Sequence, residues 1–464
     1  SGGTFENITV SCGLAADLMS DGYALQGADG KLVNMYTDKI SQTVSVVSHT
    51  HDLGDTGTCA CGYESKAVDS DGDGFVEISN VEQLQWFAGQ INSGKNINAV
   101  LTKDIDLSGK SVIIGTEKNP FKGKFDGKGK KITNYTLAVS GNKQGLFGVV
   151  YGGTVGNFKI SGTITIDGVY THIGGAVGNA KGGAVISDIA SDVNISGSGA
   201  AKHIGGVVGS SESLSGVLTV ERCIYSGTIN LPNVTDCLGG IMGYANNLVS
   251  IFYCGFTGSV TGQKGGHVGG VLGYVNNSNF GGLKNSFAAG KISGAALIGT
   301  VRDCSDSIEN CIYSAGMIPF GGSGAVNHSA TPTKEWNTGS AAYILNGGLY
   351  NNTHIWKQTL GKDAFPNITG DNVYRNGKDS YTSADPSAFV FLDGNTIIAE
   401  QIKKSCILIA AGYSGGRLTD VKMKDISKNT AVALDKMGLQ NAERVRVMLW
   451  ASRGSMTPLC PAAE

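Results

Sequence analysis

Through the centre of the chain, apolar residues come in short β-branched or aliphatic runs, and every run is cut by glycine. The cut recurs. Gly174-Gly175-Ala176-Val177-Gly178, Gly205-Gly206-Val207-Val208-Gly209, Gly239-Gly240-Ile241-Met242-Gly243 and Gly269-Gly270-Val271-Leu272-Gly273 follow one another at intervals of 31, 34 and 30 residues. A shorter copy, Gly145-Leu146-Phe147-Gly148, precedes them, and a faded one, Ala296-Leu297-Ile298-Gly299, follows. A second element lies between the glycine motifs: Cys223-Ile224-Tyr225-Ser226-Gly227, Cys254-Gly255-Phe256-Thr257-Gly258, Ser286-Phe287-Ala288-Ala289-Gly290 and Cys311-Ile312-Tyr313-Ser314-Ala315. Each unit therefore reads as strand, glycine turn, strand, turn. No unit carries a 3.6-residue apolar period, which sets aside leucine-rich and helical repeats. The pattern predicts an all-β chain built on a right-handed parallel β-helix of about six coils with atypical ends.

The flanks read differently. Val81, Leu84, Phe87, Ala88 and Ile91 share one face of a helix that starts from Ser79 as N-cap, with Glu82 three residues on. Its place before the first coil suits a cap over an open sheet edge. Residues 1–48 read as the end of a preceding β-rich module, 49–75 as a linker with a candidate metal loop, 76–320 as the β-helix and 321–385 as a loop-rich connection. A small C-terminal β-sandwich over 386–464 is predicted from runs such as Val445-Arg446-Val447-Met448-Leu449-Trp450.

Composition narrows the class. Glycine supplies 70 of 464 residues without a Gly-X-Y period, and 41% of the chain is hydrophobic, so it is a folded repeat protein, neither collagen nor linker. With 36 Lys and Arg against 38 Asp and Glu, the net charge of -2 offers nothing to nucleic acid or an anionic membrane. No apolar run is long enough to span a bilayer, and no basic-then-apolar leader opens at Ser1. The chain is expected to be a mature piece of a longer protein.

Register exposes the candidate chemistry. His172, His203, Cys237 and His267 each precede a Gly-Gly pair by two residues, so they should stack about 4.8 Å apart on an outward-facing line. Imidazole and thiolate are zinc ligands, yet four rungs are too long for one ion. Cys223, Cys254 and Cys311, with Ser286 between, are expected as small interior thiols. Asp69, Asp71, Asp73 and Glu77 match the first half of a calcium loop, although Asn80 stands where a closing glutamate belongs. His49, His51, Cys59 and Cys61 could complete a structural zinc site, although Cys-x-Cys is shorter than the usual spacing. Calcium is the favoured cofactor and zinc the lesser one. Tyr244, Asn246 and Asn247, repeated as Tyr274, Asn276 and Asn277, offer rings and amides to a glycan, or simply form turns.

Catalysis finds less support. Asp and Glu are absent from Cys237 to Arg302, and Asp188, Asp192 and Glu221 do not follow the coil period. Asp104, Asp106 and Asp126 read as turn residues.

Glu77-Ile78-Ser79-Asn80-Val81, Asp104-Ile105-Asp106-Leu107, Phe125-Asp126-Gly127-Lys128-Gly129 and the Gly-Gly-x-x-Gly series, in that order, resemble the GLUG-repeat β-helix of bacterial cell-surface proteins. The resemblance covers about residues 75–320. The C-terminal part is similar to small β domains of surface proteins from gut Firmicutes. It implies an extracellular or cell-surface adhesin or multimodular carbohydrate-active enzyme; the uniform repeat, low charge and missing carboxylate constellation favour a non-catalytic module, adhering to host glycan or glycoprotein or packing against neighbouring modules of a larger protein. The alternative it implies is a carbohydrate-active enzyme, or an accessory region of a surface protease of the IgA-cleaving kind. The His-Glu-x-x-His of such a metalloprotease does not occur in this sequence.

Overall fold

The computed structural model describes residues 65–302 (apart from 109, 213–214, 235, 247 and 277–279), 308–322 and 388–454 (apart from 401 and 403). Shorter described pieces are 4–5, 19, 22–34, 44–50, 59–62, 328–346 (apart from 335 and 338), 355–358, 363–368, 459 and 462.

The centre is a β-solenoid whose coils pair in parallel. One wall is a six-stranded sheet of Phe147–Tyr151, Val177–Lys181, Val208–Ser211, Met242–Ala245, Leu272–Asn276 and Ile298–Arg302, one strand per coil. A second, four-stranded wall holds Thr171–Gly174, Lys202–Gly205, Leu238–Gly239 and Val268–Gly269. The third is a long sheet running from Phe75–Ile78 through Lys124–Ala138, Thr154–Thr165 and Val185–Ser196 to Ile308–Ser314 and His328–Thr333. Like residues stack on like: Ile173, Ile204, Leu238 and Val268 on one wall, and Phe147, Val177, Val208, Met242, Leu272 and Ile298 on another, all buried.

Close approach is what the repeated glycines supply. None of the motif glycines has positive φ. A Cβ on Gly174, Gly205, Gly239 or Gly269 would instead stand 1.9 to 2.1 Å from a carbonyl oxygen three residues later, because the wall folds back on itself there. Left-handed backbone falls elsewhere, on the column Asn157, Asp188, Arg222, Tyr253, Asn285 and Asn310, where Asn and Asp tolerate it best.

Helix α1 (Val81–Asn92) closes the first coil. Leu84, Phe87, Ala88 and Ile91 are buried, and Phe87 meets Phe121 and Phe125 at centroid distances of 6.0 and 6.1 Å. The N-cap is Asn80, one residue beyond the expected Ser79: its side chain accepts from the Gln83 amide at 2.8 Å, while Gln83 Oε1 accepts from the Ser79 amide. Asn80 is thus committed to the helix. At the other end of the helix Asn92 bridges Ile113 O and the Gly115 amide, tying it to the coil beneath.

Cys223, Cys254 and Cys311 stack inside with Ser286, their thiols aimed at backbone carbonyls. Burial pushes the Cys311 thiol up to about 12 and raises the Cys254 thiol as well, and all three sulfurs are packed in the interior. After the solenoid, α2 (Ser340–Leu345) and Trp356 lie over Phe287 and Ile312 on the outer face of the long sheet, and Ile398 of the C-terminal region joins them. That region is a β-sandwich of two three-stranded antiparallel sheets around Val390, Ile397, Leu408, Val447 and Leu449. No described helix is long and apolar enough to cross a membrane.

Candidate functional site

Two places gather polar chemistry. The first is the corner carrying the His/Cys line. His172 pairs in register with His203, and His203 with Cys237, as adjacent β-rungs require. The expectation that this line faces solvent is corrected for two of its members: His172 is 8% exposed and Cys237 only 3%, while His203 and His267 are half-buried. The reason is a second column, Asn179, Ser210, Tyr244, Tyr274 and Thr300, which the six-stranded wall raises beside the first. His172 Nδ1 lies 2.6 Å from Ser210 Oγ, and His267 Nδ1 lies 2.7 Å from Thr300 Oγ1. His203 stacks on Tyr244 at 4.3 Å and 10°, and Tyr244 stacks on Tyr274 at 5.8 Å.

This arrangement joins two residue sets that the sequence kept apart. It also occupies both faces of Tyr244, so that ring offers edge and hydroxyl to a ligand. Asn246 is half-buried, Asn276 pairs with Arg302 in the strand, and Asn247 and Asn277 lie outside the described residues.

Charges close the corner. Lys143 shares the left-handed conformation of His172 and His203, and it bonds Glu117 and Glu212 at 2.8 Å each. Glu212 also lies 3.3 Å from His172 Nε2, while Asp236 accepts from the Cys237 thiol at 2.9 Å and lies 3.8 Å from His203 Nε2. Burial and the neighbouring His203 push His172 down to about 4, outweighing the attraction of Glu212. Burial lowers His203 too. Burial, then the adjacent Asp236 carboxylate, raises the Cys237 thiol far above its ordinary range. A thiol donating to a carboxylate and held protonated is no nucleophile at neutral pH. His203, Asp236 and Cys237 hold their donor atoms within 4.8 Å of one another, a set able to gather around a soft divalent cation, although Lys202 competes for Asp236 at 3.4 Å.

A pH dependence follows. In the unfolded chain His172 takes up a proton near 6.5, whereas the folded chain resists it until about 4. Between those values the unfolded state binds more protons, so stability falls as pH drops. Thermal melts from pH 7 to 4.5 should show a falling Tm. His172→Asn keeps a residue tolerant of φ 63° and should flatten that slope; an unchanged slope places the titration elsewhere.

The second place is a groove on the outer face of the long sheet. One outward column runs Lys131, Lys159, Ala190, Ile224, Gly255, Phe287 and Ile312 across successive coils. Trp356 and α2 cover its later members. The earlier ones stay open, and the small Ala190 leaves a depression of about 250 Å³ lined also by Thr133, Ser161, Asp192 and Ser226. An adjoining cavity of about 340 Å³ shares Lys159, Ala190 and Ser226 and ends against Asp363, Phe365 and Asn367. Lys131, Lys159 and Asp192 form no ion pair among the described residues. By contrast, Asp188 and Glu221 are both bound by Arg222, at 2.7 and 2.9 Å.

Comparison with known proteins adds little. No family model matches the chain, and no curated protein matches it. Among solved structures, one similar chain is described as "a putative immunoglobulin A1 protease from Bacteroides ovatus", at 17% identity and a TM-score of 0.39, the match covering 67% of this chain and 96% of that one. A likeness that distant carries no functional weight.

The remaining sequence candidates fall on the N-terminal side, where His51 lies outside the described residues. Asp69 and Asp71, on an exposed loop, and Glu77, half-buried in the strand Phe75–Ile78, bring carboxylate oxygens within 4.8 Å of one another. Ser70 holds Glu77 through its amide and hydroxyl, which lowers that carboxyl, and Asp73 accepts from the Phe75 amide instead of joining the group. Sequence reasoning missed Lys143, Glu212, Asp236, Lys131 and Lys159. Asp236 borders Cys237, and the two lysines sit one coil apart, but only three-dimensional register makes those positions meaningful.

Proposed function

We propose that this chain is a non-catalytic binding module of a secreted or cell-surface protein that holds an extended carbohydrate, of host glycan or glycoprotein origin, along the groove on its long sheet. The carrying observation is the contrast between the two polar sites. At the corner, acids, bases and ring faces are engaged with one another; in the groove, Lys131, Lys159 and Asp192 form no ion pair among the described residues and stand beside an apolar floor of Ala190 and Ile224. Hydroxyls and charges repeating with the coils suit a polymer of sugar rings, which needs spaced hydrogen-bonding groups above an apolar surface. Asp192 is the sole carboxylate lining the depression, and Asp363 lines only the adjoining cavity, whereas glycoside hydrolysis requires a pair flanking one bond. The order of the glycine and aspartate motifs, resembling GLUG-repeat surface proteins, favours the same setting.

Glycan-array and mucin-binding assays test the reading. Lys131→Ala and Lys159→Ala together should weaken binding at least about tenfold, the loss expected when polar groups worth ~1.4 kcal/mol are removed. His203→Asn should leave it unchanged. Binding indifferent to both lysines overturns the groove assignment, and turnover of any polysaccharide overturns the non-catalytic reading.

A further inference from the structure

The N-terminal region holds a cluster that the binding reading does not use. His49, at the end of the strand Val44–Ser48, is fixed by its amide, which donates to Gly22 O at 2.8 Å. Across from it, Cys59-Ala60-Cys61-Gly62 makes a tight turn. The Gly62 amide donates to Cys59 O at 2.8 Å, and Gly62 adopts φ 92°, a conformation that favours glycine. The turn gathers both sulfurs with the imidazole: the donor atoms of His49, Cys59 and Cys61 lie within 4.8 Å of one another, and His49 Nε2 is 3.0 Å from Cys59 Sγ. Both cysteines are buried, at 3% and 0% exposure, and neither is in a disulfide.

We propose that His49, Cys59 and Cys61 bind a zinc ion that fastens the Cys59–Gly62 turn to the N-terminal sheet. Zinc bonds imidazole nitrogen at about 2.1 Å and thiolate at about 2.3 Å, so two such donors sharing an ion stand at most ~4.4 to 4.6 Å apart. The 3.0 Å separation of His49 and Cys59 is within that reach, and all three donor atoms lie within 4.8 Å of one another, so small side-chain rotations bring them to ligand distance. Binding displaces one proton from each thiol, leaving two thiolates to neutralise the dication in a buried place; the imidazole coordinates as the neutral base, and solvent or a further donor takes the fourth position.

Both cysteines pack in one cluster with Met19 and Ala24, against Leu32 and Val47. An ion held there would tie the turn to the strands Tyr23–Gly27 and Val44–Ser48. The two cysteines stand one residue apart, a spacing that serves a shared ion better than a bond between them.

The test uses the full chain purified without chelator. Metal analysis should give one zinc per chain, and cobalt substitution should give the thiolate-to-metal absorption of a two-sulfur site. Cys59→Ser with Cys61→Ser should abolish both, while Cys237→Ser should retain both. A cobalt spectrum of one-sulfur intensity, or zinc lost only in Cys237→Ser, moves the metal to the solenoid corner and overturns the proposal. Absence of zinc, or a mass two hydrogens light from a Cys59 to Cys61 bond, overturns it as well. Because the double variant can also disturb folding, chelation of the unmodified chain is the second readout: it should open residues 44–62 to protease while the solenoid melt stays put.

Discussion

Gly239→Val is expected to abolish folding of the solenoid. A Cβ at that position stands 1.9 Å from Met242 O, across the bend, and 2.7 Å from the Gly273 amide nitrogen of the next coil, both backbone atoms. No rotamer escapes this, since Cβ itself is the clashing atom, and a shift of Met242 breaks register with Val208 and Leu272 on either side. In a stacked repeat each coil is stabilised only by its neighbours, so a break in a central coil divides the array. The cost belongs to the exceptional class above about 4 kcal/mol. Circular dichroism melts should show no cooperative transition, or recovery only from inclusion bodies. Gly141→Ala is the control: its Cβ would meet nothing nearer than the Gln144 side-chain nitrogen at 3.4 Å. It should change stability by no more than about 0.5 kcal/mol. A Gly239→Val protein with a normal melt would show that the bend can be rebuilt, and that the glycine period is not sterically required.

Trp356→Ala has the next largest expected effect, and it separates cover from core. Trp356 is fully buried outside the solenoid, its ring 5.0 Å from Phe287 and its Nε1–H donating to Asn285 O at 2.9 Å. Asn346 clamps its backbone from both sides, accepting from the Trp356 amide at 2.8 Å and donating to its carbonyl at 2.9 Å. Truncation should cost about 3–5 kcal/mol at this contact, the range for a buried aromatic reduced to alanine. The loss should appear as rapid hydrogen exchange across α2 and residues 363–368, with the Ile173 and Ile204 wall still protected. Trp356→Phe should lie between, lacking chiefly a hydrogen bond worth ~1 kcal/mol. Equal protection in all three proteins would mean that the connecting segment is held elsewhere. Because Phe365 borders the proposed groove, detachment should also weaken carbohydrate binding.

Much of the solenoid was legible because a stacked repeat writes its own register: the recurrence of one motif at Gly174, Gly205, Gly239 and Gly269 makes their neighbours equivalent, and equivalence in a parallel array means adjacency. The same logic foresaw the interior Cys223, Cys254 and Cys311. It failed by one residue at the cap of α1, where Ser79 and Asn80 are both competent and the choice rests on which side chain reaches the Gln83 amide. It failed more seriously at the His172 line. Alternation said that these side chains leave the core, which is true, but a side chain can leave the core and still be buried when the next wall raises a column beside it. Nothing in the local pattern around His203 announces Tyr244, forty-one residues on, as its stacking partner.

By itself, then, the sequence determined the periodic part of this protein, its parallel coils and glycine bends, together with a helix over one end and a β-sandwich after the other. The coils follow from short-range sterics and from a burial pattern that recurs from coil to coil, the flanks from their own local periodicity. Only the tertiary structure decided which polar groups are engaged and which are free. Lys143, Glu212 and Asp236 come to the corner from loops of unequal length, and Trp356 covers Phe287 while leaving Lys131 and Lys159 open. Such pairings depend on how separate walls and segments pack against one another. A repeat constrains that packing within a column of equivalent residues and leaves it unspecified between columns.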